Sequence, residues 1–572
     1  MTTHPRLRLW PGLLVAALVV LLRFVVPVFM PDAMIVGILA ALAGLVLVVI
    51  WWLFFSRAPW AERIGAVVLM AAAVIVTNLI VDVSISTGMM GRMFYFYAAP
   101  ATLSVAFVIW AAATRHVTGG MRWVTMAVAI AIGCGVWTLV RSEGIKGAGA
   151  EMTWRWTPTP EQRLLGQTAE NATAPAPPPA AAVDPSPAEW PGFRGPERNS
   201  IVPGTRIGTD WSAAAPQELW RKPVGPGWSS FAVDGDRIYT QEQRGEHELV
   251  SAYALATGEP IWRHRDDARF WESNGGAGPR ATPTLSGGRV YAFGATGILN
   301  ALDAKTGQRV WSRNVATDAA KKVPMWGFSS SPVVTGDIVV VAAAGRLAAY
   351  DRTTGEPRWM GPNGGGGYSS PHLVTIGGVE QIVFMSGAGA IGVRPADGTT
   401  LWQYSWEGTP IVQPAVVEGG DLLVSSADMM GAMGMRRLSV AARGGTWAVE
   451  ERWNSRGLKP YFNDFVIHEG YAYGFDGSIL SCIELTTGEK KWKGGRYGQG
   501  QFVLLADQDL LVVLSEDGDV ALVSATPDGH QELAKMKAIE GKTWNHPVVV
   551  RDVLLVRNGE EMAAFRLPAA SR

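Results

Sequence analysis

The chain has 572 residues, 48% of them hydrophobic, and its 50 lysines and arginines balance 50 aspartates and glutamates. Such neutrality provides no basic field for nucleic acid. Two cysteines are too few for a disulfide framework, and Cys134 and Cys482 fall in segments of different character, so they are not expected to pair.

The first 145 residues contain five apolar stretches, about Leu9–Met30, Met34–Phe55, Ile64–Ile85, Tyr95–Thr114 and Trp123–Val140. Each is long enough to cross a hydrocarbon core of about 30 Å at 1.5 Å per helical residue. A cleaved signal peptide fits the first stretch poorly, because no small-residue cleavage site follows and further apolar stretches do. Residues 1–145 are therefore expected to form an α-helical membrane domain of five spans. Arg6, Arg8, Arg57, Arg63, Arg115 and Arg122 lie in one set of flanks and loops, and Asp32, Asp82 and Arg92 in the other. The positive-inside rule then puts the N-terminus in the cytoplasm and leaves whatever follows the fifth span outside. Arg23 and Asp82 are ionisable groups within apolar stretches; they are expected to pair with one another, with a quinone or proton site as the functional alternative.

Residues 146–189 form a Pro/Ala-rich segment, with Pro158, Pro160, Pro175, Pro177, Pro178, Pro179, Pro185 and Pro187, expected to be an extended linker.

From 190 to 572 a phrase repeats. A strand-like run leads to a turn with Gly and ends on Trp: Ala252 to Gly258 and Trp262, Ala301 to Gly307 and Trp311, Ala349 to Gly355 and Trp359, Ala396 to Gly398 and Trp402, Cys482 to Gly488 and Trp492. Counting from Trp220 through Trp453 and on to Leu533, the period of about 40 to 50 residues gives eight units. Each reads as four short strands, for example Ala281–Leu285, Arg289–Phe293, Leu299–Asp303 and Arg309–Ser312. Four antiparallel strands repeated radially make an all-β eight-bladed propeller. The last unit supplies strands only within 544–567, so the isolated strand 218–222 is expected to complete it and close the ring.

The Ala-x-Asp-x-x-Thr-Gly-x-x-x-Trp repeat resembles the tryptophan-docking repeat of the pyrroloquinoline quinone (PQQ) propellers. Trp190-Pro191-Gly192-Phe193-Arg194-Gly195 resembles the opening segment of many of these chains. That family includes quinoprotein dehydrogenases as well as non-catalytic propellers such as the outer-membrane assembly lipoprotein, so the resemblance implies a fold rather than a chemistry. Five spans followed by an external propeller is similar to the layout of membrane-bound quinoprotein glucose dehydrogenases, which pass electrons to membrane quinone. The propeller is more compact than theirs. The Trp-Gly-Arg-Asp segment and vicinal cysteines of the alcohol dehydrogenases are also missing, so no cofactor ligand transfers residue by residue.

Residues that open the innermost strands are expected to ring one mouth of the central channel: Trp228, Ser229, Thr282, Ser330, Tyr368, Asn463, Gln501, Trp544, Asn545 and His546. Aromatic walls with convergent polar groups suit a small or planar ligand; equally, the Ser, Thr and Asn side chains could satisfy turn backbone. For catalysis, Asp464 is the candidate base and Arg280 the candidate partner of a developing oxyanion, unless Arg280 pairs with Asp266 or Asp267. Met429, Met430, Met433 and Met435, and Met89, Met90 and Met93, have a spacing that could ligate Cu(I), with apolar packing the plainer reading. No zinc, phosphate-loop or nucleophile-elbow motif occurs, and no metal site is assigned.

These features favour a binding or assembly scaffold in the cell envelope, anchored in the inner membrane with its propeller in the periplasm. The lipid bilayer and an envelope protein would be its partners. The alternative is a dehydrogenase of alcohols or sugars that uses PQQ with Ca²⁺ and reduces membrane quinone.

Overall fold

The computed structural model describes residues 7–30, 33–147, 149–170, 188–428 and 431–570. Arg6, Asp32, the prolines from 175 to 187 and the Met429–Met430 pair lie outside the described residues. The chain divides into two compact units: residues 1–158 with 271–276, and residues 159–270 with 277–572.

Among the described residues of the first unit five helices are long and apolar enough to cross a membrane: Trp10–Phe29, Met34–Phe55, Trp60–Asn78, Phe94–Ala113 and Gly120–Leu139. The third differs from the expected Ile64–Ile85. Pro59 precedes its first residue, and Asp82 caps a separate short helix, Val83–Ser86, accepting hydrogen bonds from the Ser84 amide at 3.0 Å and hydroxyl at 2.8 Å. A residue occupied as an N-cap lies outside the span. The first span contains a π-helical turn at Leu21–Val25 and the fourth opens with one at Phe94–Ala98. A hairpin of Val140–Lys146 and Gly149–Trp154 follows the fifth.

Part of the segment expected to be a linker is thus a strand, and another part is a helix, Pro160–Glu170, in the second unit. Glu161 fixes that helix, accepting from the Gly245 amide at 2.8 Å and pairing with Arg269 at 2.9 Å, while Leu164 is buried.

The second unit is an eight-bladed propeller. The innermost strands of blades 1 to 8 are Ala232–Asp234, Thr284–Ser286, Val333–Thr335, His372–Ile376, Ala415–Val416, Val466–His468, Gln501–Leu505 and Val548–Val550. Blades 1 to 7 are built from consecutive antiparallel strands, and blade 7 gains a parallel fifth strand, Ile201–Val202. Blade 8 takes its outer strand, Gln217–Pro223, from the start of the unit, paired with Glu561–Arg566.

The Gly–Trp phrase has a physical cause. At five seams, those of Trp220, Trp262, Trp311, Trp359 and Trp453, the Trp lies on the Gly of the next blade and not of its own, while Trp492 makes only the carbonyl contact there. Each indole donates to a backbone carbonyl there: Trp220 to Leu255 at 2.8 Å, Trp262 to Ala304 at 3.0 Å, Trp311 to Arg352 at 3.1 Å, Trp359 to Pro395 at 2.8 Å, Trp453 to Leu485 at 2.8 Å and Trp492 to Thr526 at 2.7 Å. At Gly307, with φ +70°, a Cβ would come within 2.4 Å of the Trp262 ring, so both the left-handed turn and the indole demand glycine. Two seams depart from the rule. Trp402 donates within its own blade to Gln381 Oε1, because blade 5 extends its outer strands into a long ribbon, Gly431–Arg443 with Thr446–Ser455. Leu533 faces blade 8, whose two outer strands are not joined by a turn.

Candidate channel mouth and axial plug

The segment from Trp190 to Val202 lies across the propeller axis and touches all eight blades. Trp190 bridges to Val233 of blade 1, and the Pro191 carbonyl accepts from Leu285 of blade 2 at 2.7 Å. Arg198 donates to the Ser331 and Pro332 carbonyls beside blade 3 and to Gln413 Oε1 beside blade 5 at 3.0 Å. The Glu197 carbonyl meets His372 Nε2 of blade 4 at 3.2 Å. Arg194 reaches Asp464 and the Phe465 carbonyl beside blade 6, the Ser200 carbonyl accepts from Leu504 of blade 7, and Phe193 stands edge-on to His546 beside blade 8. Arg194, Arg198 and Ser200 all have left-handed φ, between +51° and +63°. Three such non-glycine residues in seven are strained and persist only because many partners hold them.

Arg194 is 2% exposed and donates to Asp464 at 3.3 Å, Ser200 Oγ at 2.9 Å and the Asn199 carbonyl at 3.2 Å as well as to Phe465. His546 Nε2 lies 2.9 Å from the other Asp464 oxygen. Burial acts to raise the pKa of Asp464, but Arg194 and the His546 hydrogen bond outweigh it and hold the carboxyl below its usual range. Burial, and next Arg194 itself, push Arg198 down to about 9, against the pull of Asp464. Burial likewise lowers His372 to about 4.

A belt of hydrogen bonds encircles the plug. The amide of Ser230 donates to Thr282 Oγ1, that of Thr282 to Ser331 Oγ and that of Ser331 to Ser370 Oγ, each at 3.0 Å. Asn545 Nδ2 donates to the Ser229 carbonyl at 2.7 Å, and the Asp464 amide to Gln501 Oε1 at 3.3 Å. Ser229 Oγ accepts from the Gln241 amide, and Ser330 Oγ from the Ala342 amide. Thr282 and Gln501 thus tie the turns of neighbouring blades together, while Ser229 and Ser330 hold their turns to the next strand of their own blades.

Above the belt an aromatic wall spans the mouth. Ring centroids lie 4.7 Å apart for Trp228 and Trp544, 4.8 Å for Trp544 and Phe462, 5.6 Å for Phe462 and Tyr461, 6.5 Å for Tyr461 and Trp326, and 5.0 Å for Trp326 and Tyr368. Lys542 Nζ stands 4.6 Å from the Trp544 centroid. Beside wall residues, three buried amide atoms have no partner among the described residues: Asn463 Nδ2, Asn545 Oδ1 and Gln499 Oε1. Beyond the plug, further along the inner strands, is a cavity of about 530 Å³ lined by Arg194, Glu197, His372, Glu380 and Ile467.

The structure therefore brings Trp228, Tyr368, Trp544, Asn463 and Asn545 to one mouth, and Asp464 with His546 to the plug below. It does not join Asp464 to Arg280. The cation on Asp464 is Arg194, and Arg280 lies over the Phe270 ring at 5.1 Å and donates to the Trp326 carbonyl at 3.3 Å. A carboxylate held ionised by a guanidinium is a weak proton acceptor, so Asp464 is poorly suited to act as the expected base. Trp326, Tyr461 and Phe462 were not singled out by the sequence, although Tyr461 and Phe462 directly precede Asn463. Met435 is buried in an apolar cluster and Met433 packs against another, which is packing rather than ligation. His468, Glu469 and Asp509 bring three donor atoms within 4.8 Å of one another, in the turns after the inner strands of blades 6 and 7.

A family model described as outer membrane protein assembly factor BamB matches residues 207–372 and 327–494, together just over half of the chain. The chain belongs to this family. BamB of Yersinia pestis is 26% identical over 340 residues, covering 56% of this chain and 73% of that protein. The quinohemoprotein alcohol dehydrogenase ADH-IIG of Pseudomonas putida is 30% identical over 181 residues, 30% of this chain and 24% of the enzyme. The crystal structure of BamB from Moraxella catarrhalis is 15% identical, with a TM-score of 0.46, and covers 62% of this chain and 100% of that one.

The dehydrogenase relatives raise the question of PQQ held by Ca²⁺. Calcium takes six to eight oxygen ligands, carboxylates prominent among them. On the axis, Asp464 has both oxygens engaged by Arg194 and His546, and the buried Arg194 and Arg198 guanidiniums would repel a divalent cation. The residues present do not fit a calcium-held quinone there.

Proposed function

We propose that this BamB-family protein is an extracytoplasmic assembly scaffold, anchored in the inner membrane by its five apolar helices with the N-terminus in the cytoplasm. Its channel mouth would take an extended segment of an envelope protein. The aromatic wall carries this reading. Six rings in contact offer apolar area at little conformational cost, and the unpartnered amide donor and acceptors behind them match the carbonyl and amide of a peptide bond. The plug favours docking over passage, because a ligand entering at the wall meets Arg194 and Asp464 rather than an open channel. The occupied Asp464 weighs against the dehydrogenase reading.

The test is site-specific photo-crosslinking in cells from positions 368 and 461, with and without Trp544→Ala. A discrete protein adduct from both positions, reduced about tenfold by the substitution, supports the scaffold. Saturable PQQ binding in the presence of Ca²⁺ with no protein adduct would sink it in favour of the enzyme.

A further inference from the structure

Arg23 is another buried cation, in the helical unit. We propose that it is a binding site for a phosphate group, carried by a phospholipid headgroup. Arg23 is 6% exposed, and its placement is built into the fold. It sits in the π-helical turn Leu21–Val25, where Pro27 cannot supply the amide that the Arg23 carbonyl would otherwise accept. Widened turns of this kind recur at functional sites. Gly37 of the second span lets the backbones close up: a Cβ there would lie 2.7 Å from the Leu22 carbonyl oxygen and 3.1 Å from Arg23 Cα.

The guanidinium is positioned yet, among the described residues, has no carboxylate partner. Its Cζ stacks 4.3 Å from the centroid of Tyr97, itself in the π-helical turn of the fourth span. Nη1 donates to the Met34 sulfur at 3.0 Å, a weak acceptor, and the buried Nε has no partner among the described residues. Asp82, the expected counter-ion, is taken up as a helix cap and lies 3.5 Å from Arg155. An arginine cannot shed its charge, and an unpaired buried charge is strongly unfavourable. The site is therefore complete only with an anion, and the fork of an arginine suits phosphate oxygens.

The depth of the site points to a ligand from the membrane. Arg23 precedes the helix end at Phe29 by six residues, about 9 Å along the axis, a depth a phosphate can meet at the headgroup boundary.

The experiment uses the full chain in an uncharged detergent, as wild type, Arg23→Gln and Tyr97→Leu. Unfolding midpoint and native mass are read after adding phosphatidylglycerol, a diacylglycerol of the same acyl chains, or inorganic phosphate. The expected result is one retained phosphatidylglycerol per wild-type chain and a raised midpoint, with no response to diacylglycerol. Arg23→Gln should weaken binding by about tenfold or more, and Tyr97→Leu, which keeps the charge but loses the stack, by less. Equal lipid response in wild type and both variants overturns the site. Saturation by inorganic phosphate alone, with no preference for the lipid, overturns the lipid as its source. Should Arg23→Gln fail to fold, an unchanged response in Tyr97→Leu would count against the proposal on its own.

Discussion

Arg194 and Arg23 are both arginines with almost no exposed surface, yet one is saturated and the other is not. Arg194 has a carboxylate, a hydroxyl and two carbonyls around it; Arg23 has two rings, a sulfur and an empty Nε. A buried charge whose partners are all supplied by its own chain serves the fold. One that the fold positions and then leaves short of an anion is provided for something outside the chain.

The contrast can be broken by exchange of side chains. Arg194→Ala leaves Asp464 buried without its cation and should destabilise the propeller by about 3–5 kcal/mol, read by denaturant unfolding. Arg23→Gln, in detergent without phospholipid, should cost nothing or stabilise. Equal losses would remove the distinction.

Acid sharpens it next. His372 meets the plug at the Glu197 carbonyl and the turn before blade 5 at the Pro414 carbonyl, with Arg198 and Arg194 close enough to disfavour its protonation. Its folded pKa is lowered from the ordinary 6.5 to about 4. The unfolded chain therefore binds the extra proton first. Its contribution, about 3 kcal/mol, is fully present above pH 6.5 and is lost as the pH falls toward 4. His372→Gln should flatten that part of the stability profile.

Smaller effects separate the blade seams from the axis. Gly307→Ala, forced against Trp262 in a left-handed turn, should cost about 2 kcal/mol. Trp544→Ala, in the half-buried wall, should change stability by less than about 1 kcal/mol while removing most of the crosslinking expected at the mouth. A large stability loss with crosslinking intact would make the wall structural.

The blades were legible because the Gly–Trp phrase encodes a contact between neighbours of fixed spacing, and strand 217–223 announced itself by having no blade of its own. The five spans were legible from apolar length. The plug was not. The block around Arg194 has no periodicity, and the partners of Arg194 itself stand up to 271 residues away, so it could be read only as a mark of resemblance. Asp464 was found as a polar residue opening an inner strand, but its pairing with Arg194 was not, because only the structure reveals which side chains meet on the axis. The widened turns that bury Arg23 left a trace in Pro27 and Pro100, each within the span that holds the turn.

Strand exchange in blade 8 also orders events in time. The plug and strand 217–223 are made before any complete blade, while their last partner, Glu561–Arg566, is made after all the others. Every blade must accumulate around an axis segment already in place, and the ring can shut only when residue 566 is available. Such non-local closure is slow. Until then a growing chain exposes open strand edges at both ends, which makes the final few dozen residues the period in which this protein is most in need of protection.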